Sequence, residues 1–454
     1  MAKKYQAPRG TYDAVPGEVE KWRWLEGIFA DLASLYGYGE IRTPTFEDYD
    51  LFVRSSGDTS EVVTKQMYDF VDKGERHVAL RPELTAPAMR AYIEHSLGQP
   101  GQVTRLCYWG PIFRYERPQK GRCREAHQVG VELIGSASPV ADAEVIDLTV
   151  EFYKRLGLTS VEVLLNCIGR GATRARFSAA LLAHVGPWLS GQSTEDQEKA
   201  RKNPLRLLDT KSEELLAALS GAPSIHRFLE DASKAHFEDV QARLTELGVL
   251  FRVQDDIVRG LDYYTDTVFE VHGAGLGAQS ALCGGGRYDN LIKELGGPDT
   301  PSVGVAMGIE RAIMAIDAAG VSVPHGRLAL FVVADTEENW KRAQNVVRYF
   351  RGSGIPAQCA LCFEKLGKQM KEAEHSGARN TLILWDKEIA TKRFTVRDMS
   401  KKTEASMSFA DKDFYASFME QILHQDNSWA DTQFEKMIER EKSFRKRLEA
   451  ILCR

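Results

Sequence analysis

The 454 residues allow about three domains of ~150 residues each, and 43% hydrophobic with 27% charged residues is the composition of an ordinary soluble globular chain. A formal net charge of −5 excludes the overall basicity of proteins that coat nucleic acid, so any nucleic-acid contact is expected to be regional. The longest purely apolar run, Leu328 to Ala334, falls far short of the ~20 residues with which a helix crosses a bilayer, and no membrane span is expected.

No apolar signal segment follows Met1-Ala2-Lys3-Lys4-Tyr5, and the expected compartment is the cytoplasm. The seven cysteines are scattered without a framework spacing, as reduced thiols are. Cys359-Ala360-Leu361-Cys362 stands alone and is read as two thiols on a core element.

Val19, Trp22, Leu25, Ile28, Phe29, Leu32 and Leu35 recur at helical spacing, and Gly37 follows as a C-cap, predicting a helix over Glu18 to Tyr36. Glu40 to Thr43 reads as a short strand stopped by Pro44. Leu106 to Tyr115 and Ala126 to Ile134 read as a hairpin whose loop, Glu116 to Glu125, carries four cationic side chains. Gly171 to Leu247 follows helical spacing, with a strongly polar stretch from Ser190 to Lys202.

Strand character returns from Phe251 to Val271 and Gln279 to Leu282. Ser302 to Met307 then reads as a strand running into a helix from Ile309 to Ala319. Beyond Val323-Pro324-His325-Gly326 the pattern alternates: strand Leu328 to Ala334, helix Glu337 to Ser353, strand Ala357 to Leu361, helix Leu366 to Ser376, strand Thr381 to Trp385. Such alternation predicts an α/β domain. Asp431 to Arg454 reads as a terminal amphipathic helix docking on the protein or on a partner copy.

Three arginines on separate elements are candidates to converge on one phosphate-bearing ligand. Arg114 ends the first hairpin strand, where its fork can bridge a carboxylate and a phosphate, or simply pair with Glu116. Arg259 precedes Gly260 in Arg259-Gly260-Leu261-Asp262-Tyr263-Tyr264, a turn opening into a strand along which Tyr263 and Tyr264 alternate. Arg311 follows Gly308-Ile309-Glu310 at a helix N-terminus that already favours phosphate.

Gln128, Gly130 and Glu132 share one face of the second hairpin strand, and with Glu83 and Thr85 they form a polar set among apolar neighbours. Buried carboxylates need partners, which a cationic amino group, an imidazole N–H or a structural arginine would supply. Cys283-Gly284-Gly285-Gly286-Arg287-Tyr288-Asp289 lacks the Lys and Ser/Thr of a P-loop but suits close backbone approach to a small ligand.

Taken together, Arg9-Gly10-Thr11-Tyr12-Asp13, Leu80-Arg81-Pro82-Glu83-Leu84-Thr85, Phe113-Arg114-Tyr115-Glu116 with its basic loop, the Arg259–Tyr264 segment, Gly284–Asp289 and Gly308–Arg311 stand in the order and spacing that resemble histidyl-tRNA synthetases, over the chain to about Leu423. The resemblance implies an α+β architecture: a class II antiparallel catalytic sheet over residues 1–170 and 250–323, a helical insertion at 171–249, and an anticodon-binding α/β domain at 327–424. Residues 428–454, beyond the resemblance, are read as a helical extension. It implies a homodimer, ATP and Mg²⁺ as cofactors, and L-histidine and tRNA(His) as partners, with no metal held by protein side chains.

By the same resemblance Glu83, Thr85, Gln128, Glu132, Arg259, Tyr263 and Tyr264 bind histidine, Arg114 and Arg259 act in catalysis, and Arg114, Glu116, Arg122 and Arg311 bind ATP. Lys120, Arg122 and Arg124 would approach the acceptor end of the tRNA. Residues 364 to 402 hold ten Lys/Arg against six Asp/Glu, which suits an anticodon stem or an ordinary solvated surface.

Two departures from the family pattern are expected to matter: Ala126 stands where an adenine-stacking aromatic is usual, and Trp385-Asp386 replaces a glycine-containing turn. The rival readings are a non-catalytic, synthetase-like regulatory subunit of ATP phosphoribosyltransferase and an ATP-dependent ligase of a small metabolite.

Overall fold

The computed structural model describes residues 5–57, 60–99, 101–117, 121–208, 210, 212–258, 261–273, 281–323, 328–408, 447–448 and 450–451. The chain divides into two compact units, Met1–Val323 and Pro324–Arg454.

In the first unit the helix Val19–Leu35 buries Trp22, Leu25, Phe29 and Leu32, the stripe set by its apolar spacing. It packs on an eight-stranded sheet. From edge to edge the strands are Gly39–Glu40, Thr104–Phe113, Glu125–Ile134, Ser302–Gly308, Ala281–Arg287, Thr265–Gly273, Val161–Cys167 and Phe251–Val253. The six central strands are antiparallel and the two edge strands run parallel to their neighbours.

The period of two sorts each strand onto two faces. One face sends Val129, Val131, Leu133, Val303, Val305 and Met307 into a core shared with the helices Val19–Leu35, Pro139–Arg155, Asp231–Glu246 and Ile309–Ala318. The opposite face carries Gln128, Gly130 and Glu132, beside a second core that includes Tyr108, Tyr263, Tyr264 and Tyr288.

Several predicted bounds shift. The strand expected over Glu40 to Thr43 is Gly39–Glu40, and Arg81 takes the carbonyls that follow, its Nη1 donating to Thr43 O at 2.7 Å and Pro44 O at 3.0 Å. Residues 254–258 and 261–264 are not strand, so Tyr263 and Tyr264 lie before the strand Thr265–Gly273 and do not alternate along it. The triple glycine lies within a strand, Ala281–Arg287. A three-stranded sheet, Phe46–Asp48, His77–Leu80 and Tyr68–Val71, stands apart from the main one.

The second unit is a five-stranded sheet ordered Ala357–Cys359, Leu330–Ala334, Asn380–Leu384, Arg393–Asp398, Glu404–Ser408. The first three are parallel; the last two, antiparallel, extend beyond the predicted alternation. Cys359 is half-buried on its strand whereas Cys362 is exposed beyond it, so the two thiols do not share a core element. Most of the predicted terminal helix lies outside the described residues, but Leu448 is fully buried in this unit's core and Ile451 packs against it.

Candidate active site

Glu132 lies at the bottom of the site, with no exposure to solvent. No arginine pairs with it in the described structure; Tyr108 Oη donates to its Oε1 at 2.8 Å and Tyr288 Oη donates to its Oε2. Burial pushes its carboxyl up to about 8, against the lowering by the hydroxyls that face it. Tyr108 lies on the strand Thr104–Phe113 and Tyr288 just past Ala281–Arg287; burial pushes the Tyr108 phenol well above its usual range, and Tyr288 is buried beside it.

The room for this arrangement comes from glycine. A Cβ at Gly304, paired with Glu132 across the sheet, would collide with Glu132 Oε2 and lie 2.6 Å from Tyr288 Oη. At Gly130 it would lie 2.6 Å from the Tyr108 ring. The glycine between Gln128 and Glu132 was thus the sequence signal for Tyr108, which stands opposite it on the neighbouring strand.

Tyr263 and Tyr264 close the aromatic wall, their ring centroids 4.7 Å apart and 5.5 and 6.3 Å from Tyr288. Thr85 Oγ1 is 3.4 Å from Tyr108 Oη. Glu83 is buried at the start of the helix Thr85–Glu94, accepting from Thr85 N at 2.5 Å and Ala86 N at 2.9 Å, as a carboxylate at a helix N-terminus should. Burial raises its carboxyl, while those N–H groups and then Arg114 oppose the shift. Gln128 Oε1 is buried with no partner among the described residues, an acceptor suited to a ligand's N–H.

From Glu83 the site continues into a row of charges. Arg114 Nε donates to Pro82 O at 2.8 Å, leaving its pairing with Glu116 long at 4.0 Å. Glu116 is 3.5 Å from Arg122 Nη1. Arg311 donates through Nη1 to Ala281 O, and burial first, Arg122 second, lowers its guanidinium, an environment that an anion would relieve. Gly121 of the basic loop packs against the same arginine: a Cβ there would lie 3.7 Å from Arg311 Cγ.

Arg124 stacks 3.8 Å over the Tyr115 ring, and a cleft of about 530 Å³ lined by Arg9, Tyr115, Glu116, Arg117 and Arg124 opens beside the row. The structure therefore brings together Glu83, Thr85, Gln128, Glu132, Tyr263 and Tyr264 with Arg114, Glu116, Arg122 and Arg311. Arg259 and Lys120 lie outside the described residues.

The profile of histidyl-tRNA synthetases matches residues 10–312, and that of the anticodon binding domain matches residues 328–412. The chain belongs to the histidyl-tRNA synthetase family. Among relatives of this family, the histidine–tRNA ligase of Halalkalibacterium halodurans is 43% identical over 410 residues, covering 89% of this chain and 96% of that one. That of Synechocystis sp. is 43% identical over 89% of this chain and 91% of its own.

The crystal structure of apo S. aureus histidyl-tRNA synthetase superposes with a TM-score of 0.75 at 35% identity, covering 90% of this chain and 98% of that one. An ATP phosphoribosyltransferase regulatory subunit/histidyl-tRNA synthetase from Bacillus halodurans shares the fold at 23% identity, with a TM-score of 0.61 over 85% of this chain and 99% of that one. The fold is that of class II histidyl-tRNA synthetases, with an anticodon-binding domain in the second unit.

Proposed function

We propose that this chain activates L-histidine with ATP and passes the histidyl group to the 3′ end of tRNA(His), using the cleft between Glu132 and Arg311. A histidine carboxylate oxygen attacks the α-phosphorus, the bond to the bridging oxygen breaks, and pyrophosphate leaves. A ribose hydroxyl of the terminal tRNA nucleotide then attacks the carbonyl of histidyl-adenylate and releases AMP.

The observation that carries this reading is a dry carboxyl bracketed by two phenols, on the same strand face as Gln128 Oε1, which has no partner among the described residues, and next to a row of three arginines. Glu132 would take an imidazole N–H, with Tyr263 and Tyr264 walling the ring. Glu83, Thr85 and Gln128 would hold the α-amino group. Arg114, with Arg259, would steady the carboxylate and α-phosphate as charge develops there. Glu116, Arg122 and Arg311 would hold the rest of the nucleotide.

No group of three or more His, Cys, Asp or Glu side chains forms a metal cage among the described residues. Mg²⁺, which the family's use of ATP implies, would supply neutralisation of charge on the leaving pyrophosphate. The domain reading is proposed in the same terms: catalytic segments 1–170 and 250–323, insertion 171–249, anticodon-binding domain 327–424.

A cytoplasmic homodimer fits the exposed Phe46, Phe70 and Val71 on the small sheet, apolar groups a second copy would cover. Histidine-dependent ATP–pyrophosphate exchange tests the central claim. The wild-type chain should exchange and both Arg114→Ala and Arg259→Ala should lose at least about 100-fold in rate. A wild type that binds histidine yet stays silent would point instead to the non-catalytic regulatory reading.

A further inference from the structure

The residues on both sides of the histidine-walling tyrosines are gripped by side chains from the helical module at 171–247, directly or through Asn166 of the strand Val161–Cys167. Ahead of them, Asn166 Nδ2 donates to the carbonyls of Asp255 and Ile257 at 3.1 and 2.9 Å, and the module's His226 Nε2 lies 2.8 Å from Asn166 Oδ1. Immediately before them, Asp262 Oδ1 accepts from Asn203 Nδ2 at 2.9 Å and lies 3.8 Å from Arg206 Nη2. The Asp262 carbonyl accepts from Arg174 Nη1 at 3.3 Å.

Just after them, Ser233 Oγ donates at 2.6 Å to Asp266 Oδ1, a buried residue held at φ 45°. Asp262 is also seated against the chain opposite: a Cβ at Gly57 would lie 2.7 Å from its Oδ2. A loop needs none of these contacts to connect two strands. Together they fix the path of the backbone that presents Tyr263 and Tyr264 to Glu132.

We propose that Asp262 and Asn203 form a latch through which the helical module positions the tyrosine wall of the histidine pocket, making both of them positioning residues for histidine activation. The latch rests on the activation chemistry proposed above. Its chemistry is specific: Asp262 supplies an acceptor and Asn203 a donor, and Arg206 stands on the same carboxylate oxygen. Loosening it should let the tyrosine pair drift from its stacking distance while the arginine row, built on other elements, stays in place.

The test uses the full chain, pyrophosphate exchange and four proteins: wild type, Asp262→Asn, Asn203→Asp and the double exchange. Asn203→Asp removes the donor and sets a second carboxylate against Asp262, so it should raise the KM for histidine about 10-fold; Asp262→Asn keeps an amide acceptor but loses the charge that faces Asn203 and Arg206, so it should raise it about threefold, each with the KM for ATP within about twofold. The double exchange rebuilds an amide–carboxylate pair with donor and acceptor reversed and should recover most of the histidine KM. Thermal unfolding of each variant is measured beside the kinetics.

An unchanged histidine KM in both single variants would overturn the latch. So would a parallel loss for both substrates that follows the fall in melting temperature, or a double exchange no better than the worse single. Exchange by the wild type with any of these results leaves the activation reading intact and removes only the latch.

Discussion

The two ends of the cleft are built on opposite terms. At the Glu132 end the carboxyl, Tyr108 and Tyr288 are buried to within a few per cent, and each hydroxyl answers to a partner across the sheet. At the Arg311 end the side chain of Arg122 is 48% exposed and that of Arg114 25%, with ion pairs of 3.5 and 4.0 Å. A dry pocket whose carboxyl is paired on both oxygens penalises any ligand that leaves its groups unmatched, so it confers selectivity. Longer, wetter guanidinium contacts are individually weak and adapt to successive phosphate positions, so they confer affinity for charge rather than shape.

The sharpest way to break this division is at Glu132. Replacing it with Gln keeps the size but removes the carboxylate that takes the imidazole N–H; kcat/KM for histidine should fall about 100-fold, with the KM for ATP within about threefold. Its pH signature follows from burial, which pushes the carboxyl up to about 8. The pocket is therefore largely protonated below that pH, and the histidine KM of the wild type should improve as pH rises toward 8, a limb that Glu132→Gln should lack.

The same shift has a stability consequence of fixed sign. The native state keeps a proton that the unfolded state releases in the ordinary carboxylate range, so Glu132 costs stability increasingly as pH rises from that range to about 8 and by a constant amount above it. Urea titrations from pH 5 to 8 should show a smaller decline for Glu132→Gln than for wild type. An identical decline in both would mean that Glu132 titrates normally and that the pocket is wetter than its geometry.

At the opposite end, Arg311→Lys retains a positive charge but loses the planar fork that also reaches Ala281 O. The KM for ATP should rise about 10-fold while the histidine KM stays within about twofold. Steady-state exchange with each substrate varied in turn separates the two. Equal movement of both constants would mean that the ends are one coupled site, and the comparison would fail.

How much of this was legible in the sequence depended on distance along the chain. Gln128, Gly130 and Glu132 could be placed on one strand face because a period of two is a local property, and the onset of the helix carrying Arg311 is marked by a strand-to-helix change of period. The partners of Glu132 could not be assigned in that way. Tyr108 reaches it through the hairpin register and Tyr288 only once Ser302–Gly308 is set between Glu125–Ile134 and Ala281–Arg287.

For the same reason Arg81 reads as part of a motif, yet its guanidinium is spent on the carbonyls of Thr43, Pro44 and Pro111. The grip of Asn203 on Asp262 spans 59 residues and has no local signature at all. In the second unit the strand Arg393–Asp398 did carry a signal, Phe394 and Val396 buried at a spacing of two, which a pattern tuned to alternating helices and strands passes over.

Ala126 gives the smallest expected effect and the finest test of the divided cleft. It shares a face with Gln128, but pairing to Ser302–Gly308 stops at Gln128 and Gly308, so position 126 lies just past the strand end where the helix bearing Arg311 begins. Glu310 of that helix takes the His127 N–H at 3.0 Å, which fixes the backbone there. A phenyl group at 126 would therefore stand at the nucleotide end, on the side of the cleft that recognises by charge alone, and would add a stacking face. Ala126→Phe should lower the KM for ATP about fivefold, near the lower limit of base stacking on an aromatic ring, and leave the histidine KM unchanged. Should the ATP constant not move, another group of this chain already covers the adenine, and the nucleotide end would owe part of its affinity to shape after all.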